Sequence, residues 1–288
     1  YHLLVINLKK LIKKFKILNN FVLLFRHKKK WLITNSTTIY KYFKQKKMYL
    51  FGLKLLIKMF ITEFIFLKEK NESAKEMGYV LNDKKLSENL LLEKHYKDTY
   101  KFDFMDAFSA NINTWDRYLL KFNLKNKNIN YLEIGSFEGR SSVFILERLE
   151  SATCTFVDPF APYDEMFSST GQDDFEQVYI NFLENIKKFE GRYKVFRKKS
   201  DAFFSTNKQY FDFIYIDGSH FGEDVYKDAC NSFEFLNKDG YIIFDDIFFN
   251  HFDSMEENVL GGVVKFLIEK KNNIRIKYLS NQLVVRKI

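Results

Sequence analysis

From residue 130 onward, short apolar runs alternate with amphipathic stretches. Residues 130–134 form an apolar run with an acid in its last turn, and a tight bend follows from Gly135 to Gly139. Val143, Phe144, Leu146 and Leu149 then recur at helical spacing, so the stretch reads as strand, turn, helix. The same grammar repeats. Strands are expected at 152–158, 193–197, 211–216 and 241–244, and helices fall between them, one through Phe175, Val178, Phe182 and Ile186 and one over 224–236. Lys238-Asp239-Gly240 reads as a helix stop, and 263–270 as a further helix after Gly261-Gly262. Residues 274–279 and 282–286 pair as a hairpin around Ser280-Asn281. Strands alternating with helices predict an α/β fold, a doubly wound, Rossmann-like, seven-stranded mostly parallel sheet closed by a C-terminal antiparallel hairpin.

Two segments break the rhythm. Residues 159–175 lack periodicity and carry Pro, Gly, Ser and Asp, a loop long enough to overhang a cleft. Residues 71–128 are polar and helical in pattern, with Leu86, Leu90, Leu91 and Leu92 in one segment. There Asn113-Thr114 is expected to cap a helix starting at Trp115, which packs on the sheet near the cleft as core or as a pocket cover.

Charge divides the chain further. Residues 1–70 hold 17 Lys+Arg and two acids, whereas the remainder nets −6. Lys clusters separated by apolar residues make residues 1–70 a basic, helical extension that can lie on a membrane surface. Met48 to Leu67 is long enough to span a bilayer, but Lys54, Lys58 and Glu63 interrupt it, and no small-residue cleavage site marks a signal peptide. Residue 1 is Tyr, and the stretch also reads as conceptual translation of AT-rich DNA with Met48, Met59 or Met77 as the start; no part in the chemistry is expected of it. The resulting partition is 1–70, 71–128 and a sheet domain over 129–288. Two apolar-flanked cysteines, Cys154 and Cys230, read as reduced thiols of a cytoplasmic protein, and no Cys/His spacing suggests zinc.

The chemistry concentrates at strand ends. A dinucleotide fingerprint requires Gly where Phe137 stands, and Glu138 inside the bend would repel a pyrophosphate, which disfavours a dehydrogenase. Glu133 and Glu138 suit a ligand without phosphate and with a cationic end, as S-adenosylmethionine has. Glu133, Gly135, Ser136 and Gly139 are therefore the expected cofactor residues at the first turn. Asp158 ends the second strand 23 residues beyond Gly135, the place from which ribose hydroxyls are held. Asp217 and the Asp245-Asp246 pair end the fourth and fifth strands, which are neighbours in such a sheet. Three clustered carboxylates repel one another unless a cation joins them, and oxygen ligands indicate Mg²⁺, with Ca²⁺ or Mn²⁺ open. Adjacent residues on a regular strand face opposite ways, so one of Asp245 and Asp246 can serve the fold instead. A metal here would lower the pKa of a substrate hydroxyl, with His220 or Asp217 as the catalytic proton acceptor.

Glu133-Ile134-Gly135 through Gly139 resembles the first motif of class I S-adenosylmethionine-dependent methyltransferases. Ile216-Asp217-Gly218-Ser219-His220 followed by Asp239 to Asp246 resembles the branch containing macrocin-type and aminocoumarin sugar O-methyltransferases, over about residues 100–288. The resemblance implies that Ser200 and Asp201 contact adenine, and that the acceptor is a small sugar-like hydroxyl compound. Two alternatives remain from the sequence. One is a nucleic-acid methyltransferase with a basic arm, disfavoured by the acidic sheet domain and by the lack of an amide-recognition sequence after strand four; the other is a degenerate fold serving as a membrane-surface scaffold.

Overall fold

A computed structural model of the chain describes residues 34–41, 43, 51–62, 95–96, 98–125, 127–162, 174–249 and 251–288. Two compact units emerge, Tyr1–Ser87 with Tyr278–Ser280, and Glu88–Lys277 with Asn281–Ile288. In the first, residues 34–41 and 51–62 are helical and bury Ile39, Phe43, Leu55, Leu56 and Met59. Among the described residues no helix is long and apolar enough to cross a membrane. The remainder of the basic extension, the leucine-rich 86–92 segment and most of the 159–175 loop (residues 163–173) lie outside the described residues.

The second unit carries the sheet. Its strands are β1 (Asn130–Ile134), β2 (Thr153–Asp158), β3 (Tyr193–Arg197), β4 (Phe211–Ile216), β5 (Leu236–Phe244), β6 (Ile274–Leu279) and β7 (Leu283–Lys287), in the spatial order β3-β2-β1-β4-β5-β7-β6. β1 pairs in parallel with both β2 and β4, and β4 with β5, whereas β7 runs antiparallel to β5. This is the expected doubly wound sheet with antiparallel C-terminal strands. The order reverses between β1 and β4, so a crevice opens at their carboxyl ends, where open α/β sheets bind ligands.

The helices are α1 (Ile112–Lys121), α2 (Arg140–Arg148), α3 (Phe175–Ile186), α4 (Ser200–Phe204), α5 (Gly222–Glu234) and α6 (Val259–Glu269). Helix α1 starts three residues before the expected Trp115, and Asn111 at its N-cap makes no side-chain cap bond. A 3₁₀ turn over Ser109–Asn111 leads in, and the Asn111 amide points instead at Asp245, 3.4 Å away. Trp115 is core. Its ring is fully buried, meets Tyr215 edge-on at 4.6 Å and lies against Phe108, Phe144 and Phe213. Edge-to-face pairs of this kind add about 0.5–1.5 kcal/mol each beyond area burial.

The stop expected at 238–240 lies inside β5. Phe211 faces Leu236 but Phe213 faces Tyr241, so residues 237–240 bulge from the ladder, with Asp239 at φ 66°. Beyond the bulge the register is regular up to Ile216 opposite Phe244, which brings Asp217 and Asp245 side by side.

Candidate functional site

The bend after β1 is held in a conformation that its residues do not prefer alone. Gly135, Phe137 and Gly139 all have positive φ, 86°, 47° and 85°. At Gly135 the demand is also steric: a Cβ there would lie 2.0 Å from the Asp217 carbonyl oxygen. The bend is clamped from β2. Asp158 Oδ2 accepts from the Ser136 and Phe137 amides at 2.8 and 3.0 Å, and Oδ1 accepts from the Phe160 amide at 2.6 Å. Both oxygens of the expected ribose ligand are thus directed at backbone; its position at the end of β2 shapes the turn.

Glu133 is fully buried. Its Oε1 accepts from the Ser141 and Ser142 hydroxyls at 2.8 and 2.7 Å, and Oε2 from the Tyr131 hydroxyl at 2.8 Å. Burial pushes its pKa up to about 7, against the pull of those hydroxyls. Glu138 turns away from the crevice to accept from the Asp103 and Phe104 amides and from Asn181, tying residues 103–104 to the bend and to α3. The Ser136 hydroxyl is buried beside Glu133 yet makes no hydrogen bond of normal geometry, an orphaned polar atom at the crevice floor.

Over this bend lies a cavity of about 340 Å³. Ile134, Gly135, Val157, Ala161 and Pro162 give it apolar walls, while Ser200, Asp201 and Ser219 add polar edges. Ser200 and Asp201, at the start of α4, thus line this cavity. Glu133, Ser136, Gly139 and Asp158 stand behind the wall.

A second group of polar side chains gathers where β4 and β5 end side by side. The Tyr215 hydroxyl lies between two acids, 2.8 Å from Asp217 Oδ2 and in close contact with Asp245 Oδ2. A phenol has one proton to give, so two such contacts require a second proton on one carboxyl. The pKa directions agree: burial, then the charges of Asp245 and Asp246, raise Asp217 well above the usual carboxylate range, and burial raises Asp245 to about 6. Asp245 is further held by Gln282 at 2.8 Å, and its Oδ1 accepts from the Asp246 amide at 2.8 Å. Asp246 has φ 48°, so the chain has left the strand and its side chain points elsewhere, 3.1 Å from His220 Nε2. The His220 ring also stacks on Phe249 with centroids 4.4 Å apart.

Of the three acids expected to share a cation, the structure brings Asp217 and Asp246 together and replaces Asp245 with His220. One ligand atom from each of Asp217, His220 and Asp246 lies within 4.8 Å of the others. Two carboxylates and an imidazole form a donor set suited to a divalent ion. Sequence reasoning missed Tyr215, Gln282 and Asn111. Tyr215 did leave a signal: Tyr131-x-Glu133 and Tyr215-x-Asp217 place tyrosine and acid on one strand face, on neighbouring strands.

Residues 132–247 match the methyltransferase-domain family. The matched stretch runs from Glu133 to Asp246 and excludes Asn111 and Gln282, which reach Asp245 from outside it. An uncharacterized protein of Acanthamoeba polyphaga mimivirus is 24% identical over 119 residues, covering 41% of this chain and 52% of that protein. The chain thus matches about half the length of that relative. Among solved structures, a candidate caffeoyl-CoA O-methyltransferase from Staphylococcus aureus is 16% identical, with TM-score 0.47, over 72% of this chain and 99% of that one. The MycE methyltransferase of the mycinamycin pathway, in complex with Mg, S-adenosylhomocysteine and mycinamycin VI, is 18% identical with TM-score 0.45, over 65% of this chain and 51% of that one.

Proposed function

We propose that this protein is an S-adenosylmethionine-dependent O-methyltransferase acting on a small hydroxylated, sugar-like acceptor, with a divalent cation such as Mg²⁺ at Asp217, His220 and Asp246. One observation carries the reading: the cavity over the glycine bend and the acidic corner meet at the same strand end, with Gly218-Ser219 shared between them, Gly135 and Ser200 on the cavity side and Asp217, His220 and Asp246 at the corner. Adenosine fills the cavity, with adenine toward Ser200 and Asp201. The Gly135–Gly139 bend, held by Asp158, receives the ribose and the methionine portion.

A bound cation would supply Lewis acidity that makes a coordinated hydroxyl easier to deprotonate. In the transfer, the acceptor oxygen attacks the methyl carbon, the C–S bond breaks and S-adenosylhomocysteine leaves. The hydroxyl proton passes to Asp217, because a carboxylate that holds a cation through one oxygen keeps the other as an acceptor, while Asp246 orients the His220 imidazole. Tyr215 and Gln282 hold Asp245 in place so that it anchors the chain where Asp246 turns outward.

Two measurements test this. Calorimetry with S-adenosylhomocysteine should show binding to the full chain, and no heat at millimolar ligand would remove the methyltransferase reading. In a turnover assay over a panel of sugars and phenols, EDTA should abolish transfer and Mg²⁺ restore it, with Asp217→Asn and Asp246→Asn inactive but still binding the cofactor product. Transfer that is indifferent to EDTA would eliminate the cation.

A further inference from the structure

One buried acid on the cavity wall has no role in the foregoing. Asp228 lies on α5, is 4% exposed and lines the cavity opposite the glycine bend. Its Oδ2 comes within 3.9 Å of where a Cβ on Gly218 would sit, and Ile134 Cγ2 lies 3.4 Å from that same point. Gly218 therefore leaves a slot open between an apolar wall and a carboxyl group. The Ser200 hydroxyl bonds to Asp228, and Asp201 from α4 and Asp224 from α5 add negative charge nearby, with Lys227 as the counterweight. Lys199 also lines the cavity.

We propose that Asp228 reads the purine of the cofactor, accepting a hydrogen bond from its exocyclic 6-amino group; this rests on the cofactor reading above. The cavity lining has the chemistry a purine requires. Ile134, Val157, Ala161 and Pro162 are apolar, and Ser200, Asp201 and Asp228 supply polar groups. Its volume of about 340 Å³ is at the lower end of small-molecule pockets, ~300–1,000 Å³, and suits a nucleoside. A carboxyl offers an acceptor whether or not it holds its proton, so the contact survives any change in its ionisation. Burial raises the Asp228 pKa to about 7, the mark of an acid short of donors while the protein stands alone. An amine donor from a ligand answers that shortage, and a site built to hydrogen-bond a substrate group rejects the analogue that lacks it.

The test compares S-adenosylhomocysteine with its analogue carrying hydrogen in place of the 6-amino group, by calorimetry on the full chain. The wild type should bind the amino compound about tenfold more tightly or better. Asp228→Ala should bind the two alike, near the wild-type affinity for the analogue. Asp228→Leu, close in volume and without an acceptor, serves where the alanine variant does not fold. Equal wild-type affinities would overturn the assignment to Asp228 while leaving the cofactor reading intact, as would a variant that keeps the wild-type ratio. Absence of binding to S-adenosylhomocysteine by the wild type removes both.

Discussion

Replacing Glu133 with Gln isolates the largest buried charge at the first turn. Glu133 has an ordinary pKa of 4.5 and a folded-state value of about 7, raised by burial. Below pH 4.5 the group is protonated in folded and unfolded chains, and its burial carries no ionisation penalty. Between 4.5 and about 7 the unfolded chain loses its proton while the folded chain keeps it, so stability falls with rising pH. Above 7 the full penalty is present. At ~1.4 kcal/mol for each unit between the two values, that penalty is about 3 kcal/mol, of which about 2 kcal/mol develops between pH 5 and pH 8. Glu133→Gln has no such slope. It does disturb the hydroxyl contacts, since an amide N–H₂ faces the Tyr131 hydroxyl, at about 1 kcal/mol whatever the pH.

Urea unfolding of both proteins at pH 5 and pH 8, without ligand, should show the glutamine variant gaining about 2 kcal/mol on the wild type over that interval. Asp217 adds in the same direction, because the Glu133 charge is one of the causes that raise it. The other raised acids, Asp228 and Asp245, titrate in both proteins and cancel in the difference. A wild-type to variant difference that stays within ~0.5 kcal/mol across the interval refutes the buried, hydroxyl-bound carboxyl as the source.

Gly135→Ala should destabilise the sheet unit by more than the ~1–2 kcal/mol of a left-handed backbone alone, because its Cβ would lie 2.0 Å from the Asp217 carbonyl; a thermal midpoint within a few degrees of wild type contradicts this. Asp158→Ala leaves three amides without their acceptor and should cost about 3 kcal/mol, with hydrogen exchange accelerating at Ser136, Phe137 and Phe160 while β7 stays protected. Uniform exchange across the sheet would point to global destabilisation instead. Tyr215→Phe in EDTA should lose about 1–3 kcal/mol at pH 8 and less at pH 5, where Asp245 is largely protonated and no longer needs the hydroxyl; equal losses at the two pH values would speak against it.

The sheet was legible in the chain because β1, β2, β4 and β5 each announce themselves twice, by an apolar run and by an acid or glycine at the end. Asp158, Asp217 and Asp245 all fall where those runs predict, and Ile216 and Phe244 do stand opposite each other. The use of each acid was less legible, since it depends on partners distant in sequence. Glu138 is spent on amides of Asp103 and Phe104, 35 and 34 residues upstream, and Asp245 on Asn111 and Gln282. The positive φ of Asp246 separates it from Asp245 and brings it to His220, a consequence of how the chain leaves β5 that no residue pattern encodes. The start of α1 was misplaced for a similar reason: a 3₁₀ turn, invisible to helical periodicity, begins the element early.

The two Tyr-x-acid pairs show how one local motif acquires two uses. On β1 the Tyr131 hydroxyl and two serine hydroxyls from α2 give Glu133 three donors, and the acid is completed from within. On β4 the group opposite Tyr215 is another acid, so one phenolic proton is divided between Asp217 and Asp245. Gln282 and Asn111 make up the deficit for Asp245. Asp217 has no comparable supply among the bonds described and faces the corner with Asp246 and His220. A buried carboxylate provided with donors is stable as it stands; one left short must hold a proton or meet a positive charge. The shortage lies at the corner of Asp217, His220 and Asp246, none of which lines the cavity over the glycine bend.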